Sequence, residues 1–181
     1  NDGGVTWTSP TNSTTGLLRD NGNFHCAPVP ILEHKGRLWR GFEWRNPPVG
    51  WGSNFCAGVI SVPVEADLLN AENWTFSNFL PSDRSWNDHD MGGWLEGNAV
   101  ATPSGDVVDI LRPTTKLTSQ KAAIVQISAD GKTASFDPAT GFVDFPGAGQ
   151  HKFTIRFDPQ TRLYWTLSNP CLPEPPQMVP T

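Results

Sequence analysis

Between Asn87 and Asn98 the chain reads Asn-Asp-His-Asp-Met-Gly-Gly-Trp-Leu-Glu-Gly-Asn. Four groups able to carry or accept a proton, Asp88, His89, Asp90 and Glu96, fall within nine residues. The stretch is rich in glycine and runs into a β-branched segment, so these groups sit on a loop that feeds a strand. A carboxylate such as Glu96 at that point serves as general base, general acid or the partner that activates a nucleophile. Gly97 after it leaves room for a ligand or a neighbouring backbone. Arg112 follows sixteen residues later, an even offset that returns it to the same face and end of a hairpin. A guanidinium there lowers the carboxylate pKa and offers a planar fork to an anionic group. The alternative assignments are an acidic solvated loop for Asp88 to Glu96 and an ordinary structural ion pair for Glu96 and Arg112. Asn98 closes the stretch and counts as a ligand-binding candidate.

A second constellation begins at Phe24-His25-Cys26-Ala27-Pro28 and continues through Arg37, Arg40, Glu43 and Arg45. His25 titrates near neutral pH and is a candidate acid or base, against the common structural role of an isolated histidine. Alternation along Leu38 to Arg45 separates Arg40 from Glu43 and Arg45, so Glu43 and Arg45 share a face and are expected to pair. Arg40 is a second candidate for holding an anion. Trp51 and Trp86 lie in glycine-rich or polar loops, where an indole face can stack on a sugar ring. Trp39, Trp44 and Trp165 lie on strands, where core packing is the expectation.

These residues need β-structure to position them. The chain has 181 residues, with 8 Trp and 10 Phe beside one Tyr, and 17 Gly and 17 Pro. That composition gives many turns and few long helices. Three segments read as hairpins: Pro28 to Arg45 around Lys35-Gly36, Gly97 to Arg112 around Pro103-Ser104-Gly105, and Lys152 to Asn169 around Asp158-Pro159-Gln160. Between them lie further strand candidates, Ala57 to Val64, Trp74 to Phe76, Ala122 to Ile127 and Ala134 to Phe136, with a helical-looking turn at Ala66 to Leu69. A unit of about four strands recurring every ~50 to 70 residues has the period of a propeller blade, and a β-sandwich does not predict that repeat.

Charged residues make up 17% of the chain and the net charge is −5. This argues against a nucleic-acid-binding surface, which needs a basic field. No apolar run is long enough to span a membrane as a helix. The three cysteines, Cys26, Cys56 and Cys171, form no metal-ligand spacing. Free thiols are expected, with Cys26 to Cys56 the pair to test for a disulfide. No metal or cofactor is expected. Asn12-Ser13-Thr14 and Asn73-Trp74-Thr75 fit the glycosylation pattern, which matters only in a eukaryotic secreted setting.

The first residues, Asn1-Asp2-Gly3-Gly4-Val5-Thr6-Trp7, have the form Asp-x-Gly-x-x-Trp. An Asp carboxylate bonding the amides of its own turn, glycines at positive φ and a Trp on the outgoing strand make a β-hairpin signature. This is the form of the Asp-box, and the chain resembles the sialidase (neuraminidase) superfamily of Asp-box, BNR-repeat β-propellers. Glu96 to Arg112 is similar to the family segment in which a Glu precedes a hairpin ending in Arg. There the Glu assists a tyrosine nucleophile and the Arg belongs to a carboxylate-binding triad. Phe24 to Pro28, through Gly36, Phe42, Glu43 and Arg45, is similar to the Phe-Arg-Ile-Pro segment and the Glu/Arg strand after it. His25 stands where the first triad Arg would be, and Tyr164 lies within a strand-like run, so a related enzyme acting on another acidic glycan fits better than sialic acid cleavage.

The resemblance implies an all-β, sialidase-like β-propeller over 1–169, an incomplete segment of about three blades of a six- or seven-bladed parent. Its parts are a blade end at 1–22, blades at about 23–80 and 90–145, a half blade at 150–169, and a Pro-rich irregular tail at 170–181. The implied function is a glycan-degrading hydrolase acting on an acidic sugar. Glu96, His25, His89 and Asp90 are its catalytic candidates, and Arg112, Arg40, Trp51, Trp86 and Asn98 its substrate-binding candidates. A non-catalytic carbohydrate- or protein-binding propeller and a His-based polysaccharide lyase are the alternatives. The expected partner is a carbohydrate and the expected location secreted or periplasmic.

Overall fold

The computed structural model describes residues 2–47, 51–115 and 120–169; the tail at 170–181 and Cys171 lie outside the described residues. The described chain is all-β and antiparallel, in two five-segment sheets and a hairpin. The first sheet holds β1 (Asn23–His25), β2 (Leu32–His34), β3 (Arg37–Arg45), β4 (Phe55–Pro63) and β5 (Thr75–Phe76). β1 and β2 both pair with β3, one at each end, so they act as one interrupted edge in a four-deep meander. The second sheet holds β6 (Leu95–Ala101), β7 (Val107–Arg112), β8 (Lys121–Ile127), β9 (Ala134–Ser135) and β10 (Phe142–Asp144). Its order is β6-β7-β8, with β9 and β10 sharing the far side of β8. β11 (Thr154–Asp158) and β12 (Leu163–Leu167) pair with each other.

Turn chemistry sets the three hairpins where the sequence indicates them. Lys35 and Gly36 both take positive φ, 50° and 71°, the requirement of a type I′ turn whose twist matches its strands. Gly105 at φ 87° closes the β6–β7 turn. Asp158 caps the β11–β12 turn by accepting from the Gln160 and Thr161 amides. Period-2 alternation then assigns the faces. On β3, Trp39, Gly41 and Glu43 are buried while their neighbours are only half-buried.

The main core is the seam between the two sheets. Trp39, Ala57 and Val59 from the first meet Trp94, Ala99, Val107, Leu111, Ala123 and Val125 from the second. Face-to-face packing of this kind removes both apolar faces from water at once. The outer face of β3 is covered separately, by Phe42 stacked on Phe24 and Trp44 tilted against Phe79. Behind the second sheet, Ala122, Ala148 and Phe153 form a smaller core.

Three expectations are corrected. Residues 2–22 contain no strand, so the opening motif is a turn and not a hairpin. Asp2 accepts from the amides of Gly4, Val5 and Thr6 and from the Thr6 hydroxyl, which lowers its pKa. Trp7 is 87% exposed and folds back to donate to the Gly4 carbonyl, because no strand lies beside it to pack on. Ala66 to Leu69 is not helical: the Asp67 carboxylate accepts from the Leu69 amide, a turn that competes with helix. Trp165, expected to pack in a core, is 59% exposed on β12. Cys26 and Cys56 are the expected free thiols, and Cys26 Sγ accepts from the Arg40 guanidinium.

Candidate active site

The register of β1 on β3 makes His25 and Glu43 cross-strand partners. His25 Nδ1 donates to Glu43 Oε2 at 2.8 Å. Glu43 is only 1% exposed, and its other oxygen accepts from the Gly97 amide at 2.8 Å, across the seam between the sheets. The seam is tight here because both approaching residues are glycine. A Cβ on Gly41 would lie 2.3 Å from the Gly97 carbonyl oxygen, and one on Gly97 would lie 2.5 Å from the Asp109 carboxyl.

Gly97 follows Glu96, which stands at a register break between Leu95 and Asn98 with φ 60°. A bulge of this kind re-aims a side chain. Here it brings Glu96 Oε2 to 3.5 Å from Arg112 Nε, both atoms buried and neither hydrogen-bonded within the described residues. Arg112 also donates through Nη1 to the Gln150 carbonyl, which anchors the guanidinium. Asn98, fully buried, donates to the Glu96 and Phe153 carbonyls and steadies the bulge from behind.

Hydrogen bonding to Glu43 raises the His25 pKa, burial opposes it, and the charges of Glu43 and Glu96 add to the rise while Arg112 subtracts. His25, Glu43, Glu96 and Arg112 therefore form one electrostatic unit. Trp51, 69% exposed, stands edge-on to the His25 ring with centroids 5.3 Å apart, and Phe55 touches both rings, 5.5 Å from His25 and 5.3 Å from Trp51. Behind Glu43, Asp109 is wholly buried and its carboxyl oxygens have no hydrogen-bond partner among the described residues. Burial, and then the charge of Glu43, push its pKa well above the usual range.

Of the residues singled out by sequence, the structure assembles His25, Glu96, Arg112 and Trp51. His89 is exposed on the helical turn α1 (Trp86–His89) and acts on Asp83 instead; neither it nor Asp90 is among the charges that act on His25. Trp86 is partly buried and packs against Trp94 and Phe136 at the edge of the core. Arg40, on the opposite face of β3, holds Cys26 Sγ and the Ala27 carbonyl. Glu43 does not depend on Arg45 in the way alternation suggests. The His25 ring reaches it across the ladder, and the spacing within β3 carries no sign of that. Asp109 was missed in the sequence, where the signal for it is a lone charge inside the apolar run Val107 to Leu111.

A cavity of about 740 Å³ lies at the far end of the inner strands, lined by β2, the end of β6 and β11, and contains none of the four clustered residues. Among the described residues no three His, Cys, Asp or Glu side chains converge as metal ligands do.

No protein-family model and no curated protein matches the chain. Among solved structures it is similar to an alpha-L-arabinofuranosidase from Lactobacillus brevis, at 19% identity and a TM-score of 0.36, over 59% of this chain and 35% of that one. It is also similar to a Bacillus subtilis levansucrase in complex with oligosaccharides, at 14% identity and a TM-score of 0.43, over 62% of this chain and 26% of that one. The matched region thus spans only a minor part of either structure, and at these scores neither likeness places the chain in a family.

Proposed function

We propose that the chain is part of a glycan-degrading hydrolase of the sialidase-like β-propeller class, acting on an acidic sugar at the cluster of His25, Glu96 and Arg112. The observation that carries this reading is the convergence itself. A histidine tethered by a buried carboxylate stands beside a carboxylate–guanidinium pair, with an exposed indole at the rim. Three features favour the propeller. The two sheets are four-deep antiparallel meanders, they pack face to face, and β11 begins a third unit against β6. One face of β12 exposes Leu163, Trp165 and Leu167, the apolar surface that a further blade of a six- or seven-bladed ring would cover.

In hydrolysis one group takes a proton from water as its oxygen bonds to the anomeric carbon, and another gives a proton to the departing glycosidic oxygen. His25, with Nδ1 committed to Glu43, offers Nε2 for one role, and Glu96 is placed for the other. Arg112 faces the negative charge of an acidic sugar, and Trp51 gives its ring a stacking surface. Such an enzyme works where glycans are, secreted or periplasmic.

The His25–Glu43 pair also favours a second reading, a lyase. His25 would remove the proton beside a uronate carboxylate neutralised by Arg112. The electron pair forms a carbon–carbon double bond as the bond to the leaving oxygen breaks, and that oxygen takes up a proton. The test is product analysis of the full-length protein on uronate- and sialate-bearing glycans. Oxygen from labelled water in the new reducing end supports hydrolysis, and ultraviolet absorbance of a conjugated unsaturated uronate supports elimination. Retention of glycan without any product supports a binding propeller and removes the enzyme reading.

A further inference from the structure

Among the described residues, Glu43 is the one side chain that joins both halves of the cluster. Its oxygens diverge, Oε2 to His25 Nδ1 on β1 and Oε1 to the Gly97 amide on β6, each at 2.8 Å. The carboxylate is buried, so water does not compete for either contact. Gly97 is the residue directly after Glu96, at the bulge that turns Glu96 toward Arg112. We infer that Glu43 is a positioning residue: it fixes His25 as the Nδ1–H tautomer, with Nε2 facing the substrate side, and holds His25 and Glu96 at a set separation. This inference rests on the proposed reaction centre.

The charged groups around His25 come from three strands: Glu43 from β3, Glu96 from β6 and Arg112 from β7. Asp109, also on β7, stands behind Glu43, and burial together with the Glu43 charge raises its pKa. Among the causes that raise the His25 pKa, the hydrogen bond to Glu43 is the largest. A carboxylate placed behind a histidine in this way sets ring orientation and basicity, and losing one reduces activity about 10- to 100-fold where it has been measured at metal-bound histidines.

The test uses the full-length protein with isotope-labelled histidine, as wild type and as Glu43→Gln, with the His25 signal assigned by its loss in His25→Gln. Glutamine keeps a carbonyl oxygen for the Gly97 amide and removes the charge. The expected result is that the His25 titration midpoint in Glu43→Gln moves down toward the ordinary histidine range. The acid limb of the activity profile moves down with it, and kcat falls while KM changes little. A midpoint that stays at the wild-type value in folded Glu43→Gln overturns the inference. If that variant does not fold, the ring nitrogen shifts of the wild type decide: neutral His25 carrying its proton on Nε2 overturns the inference, and on Nδ1 supports it. Titration tied to Glu43 in a protein that cleaves no glycan removes the glycan reading and leaves the pairing intact. Cleavage that depends on His25, with a titration indifferent to Glu43, does the reverse.

Discussion

Glu96 sits in the left-handed backbone region, at φ 60°, where a residue bearing a Cβ is strained by about 1–2 kcal/mol. The strain coincides with the position from which its carboxylate reaches Arg112. Strained positions of this kind are held by the structure around them; here Asn98 and Gly97 do the holding. Glu96→Gly is therefore expected to be more stable than Glu96→Ala by about 1 kcal/mol in urea unfolding, since both lose the ion pair and only glycine relieves the backbone. Equal stabilities would remove the strain argument. Asp109 gives a second residue-scale expectation. Its folded-state pKa lies above the ordinary 3.8, so the folded protein binds the extra proton and stability falls as pH rises from that value toward the raised one. Asp109→Asn abolishes that titration. Its stability relative to wild type should rise from acid to neutral pH, and a pH-independent difference would contradict the raised pKa. Glu96, Arg112 and His25 were legible as chemical candidates because their types and hairpin offsets are local. The partner of Glu43 was not, because the register of β1 on β3 is set across the long connection from His25 to Arg37 and not by neighbours in sequence.

At the scale of elements, the strands declare themselves through turn residues and alternation. Lys35-Gly36 can form only the turn that joins β2 to β3, and Pro103-Ser104-Gly105 joins β6 to β7 in the same way. What alternation does not reveal is which sheet face meets which. Gly41 illustrates this. In the sequence it looks like a weak point in a strand, whereas in the structure it is where β3 approaches β6 too closely for any side chain. Gly41→Ala is expected to cost about 1–3 kcal/mol, by overpacking the seam. Differential scanning calorimetry checks this, and an unchanged melting temperature would show that the seam relaxes freely. The same variant should weaken the Glu43–Gly97 contact, since it pushes β6 away from β3. Elements whose form depends on context were less legible. Ala66 to Leu69 carries helix-forming residues, but Asp67 captures the backbone for a turn. The opening Asp2-Gly3-Gly4 turn makes its local bonds without recruiting a strand to either side.

For the molecule as a whole, the arrangement of two sheets decides what can meet. β1 and β6 lie on different sheets, so His25 and Glu96 come together only because the sheets pack face to face with Glu43 between them. The seam is apolar almost throughout, and Glu43 and Asp109 are the acidic exceptions buried within it. Buried ionisable groups weaken a core unless something else holds them there, and the position of Glu43 directly behind His25 is what the proposed reaction centre explains. The central claim is that this cluster performs the chemistry. The most direct measurement is turnover by the full-length protein on uronate- and sialate-bearing glycans, wild type against Glu96→Gln. We expect cleavage by the wild type and a loss of about 10²- to 10⁴-fold in kcat for the variant, with its melting temperature preserved. Turnover that is unchanged in Glu96→Gln would contradict the account.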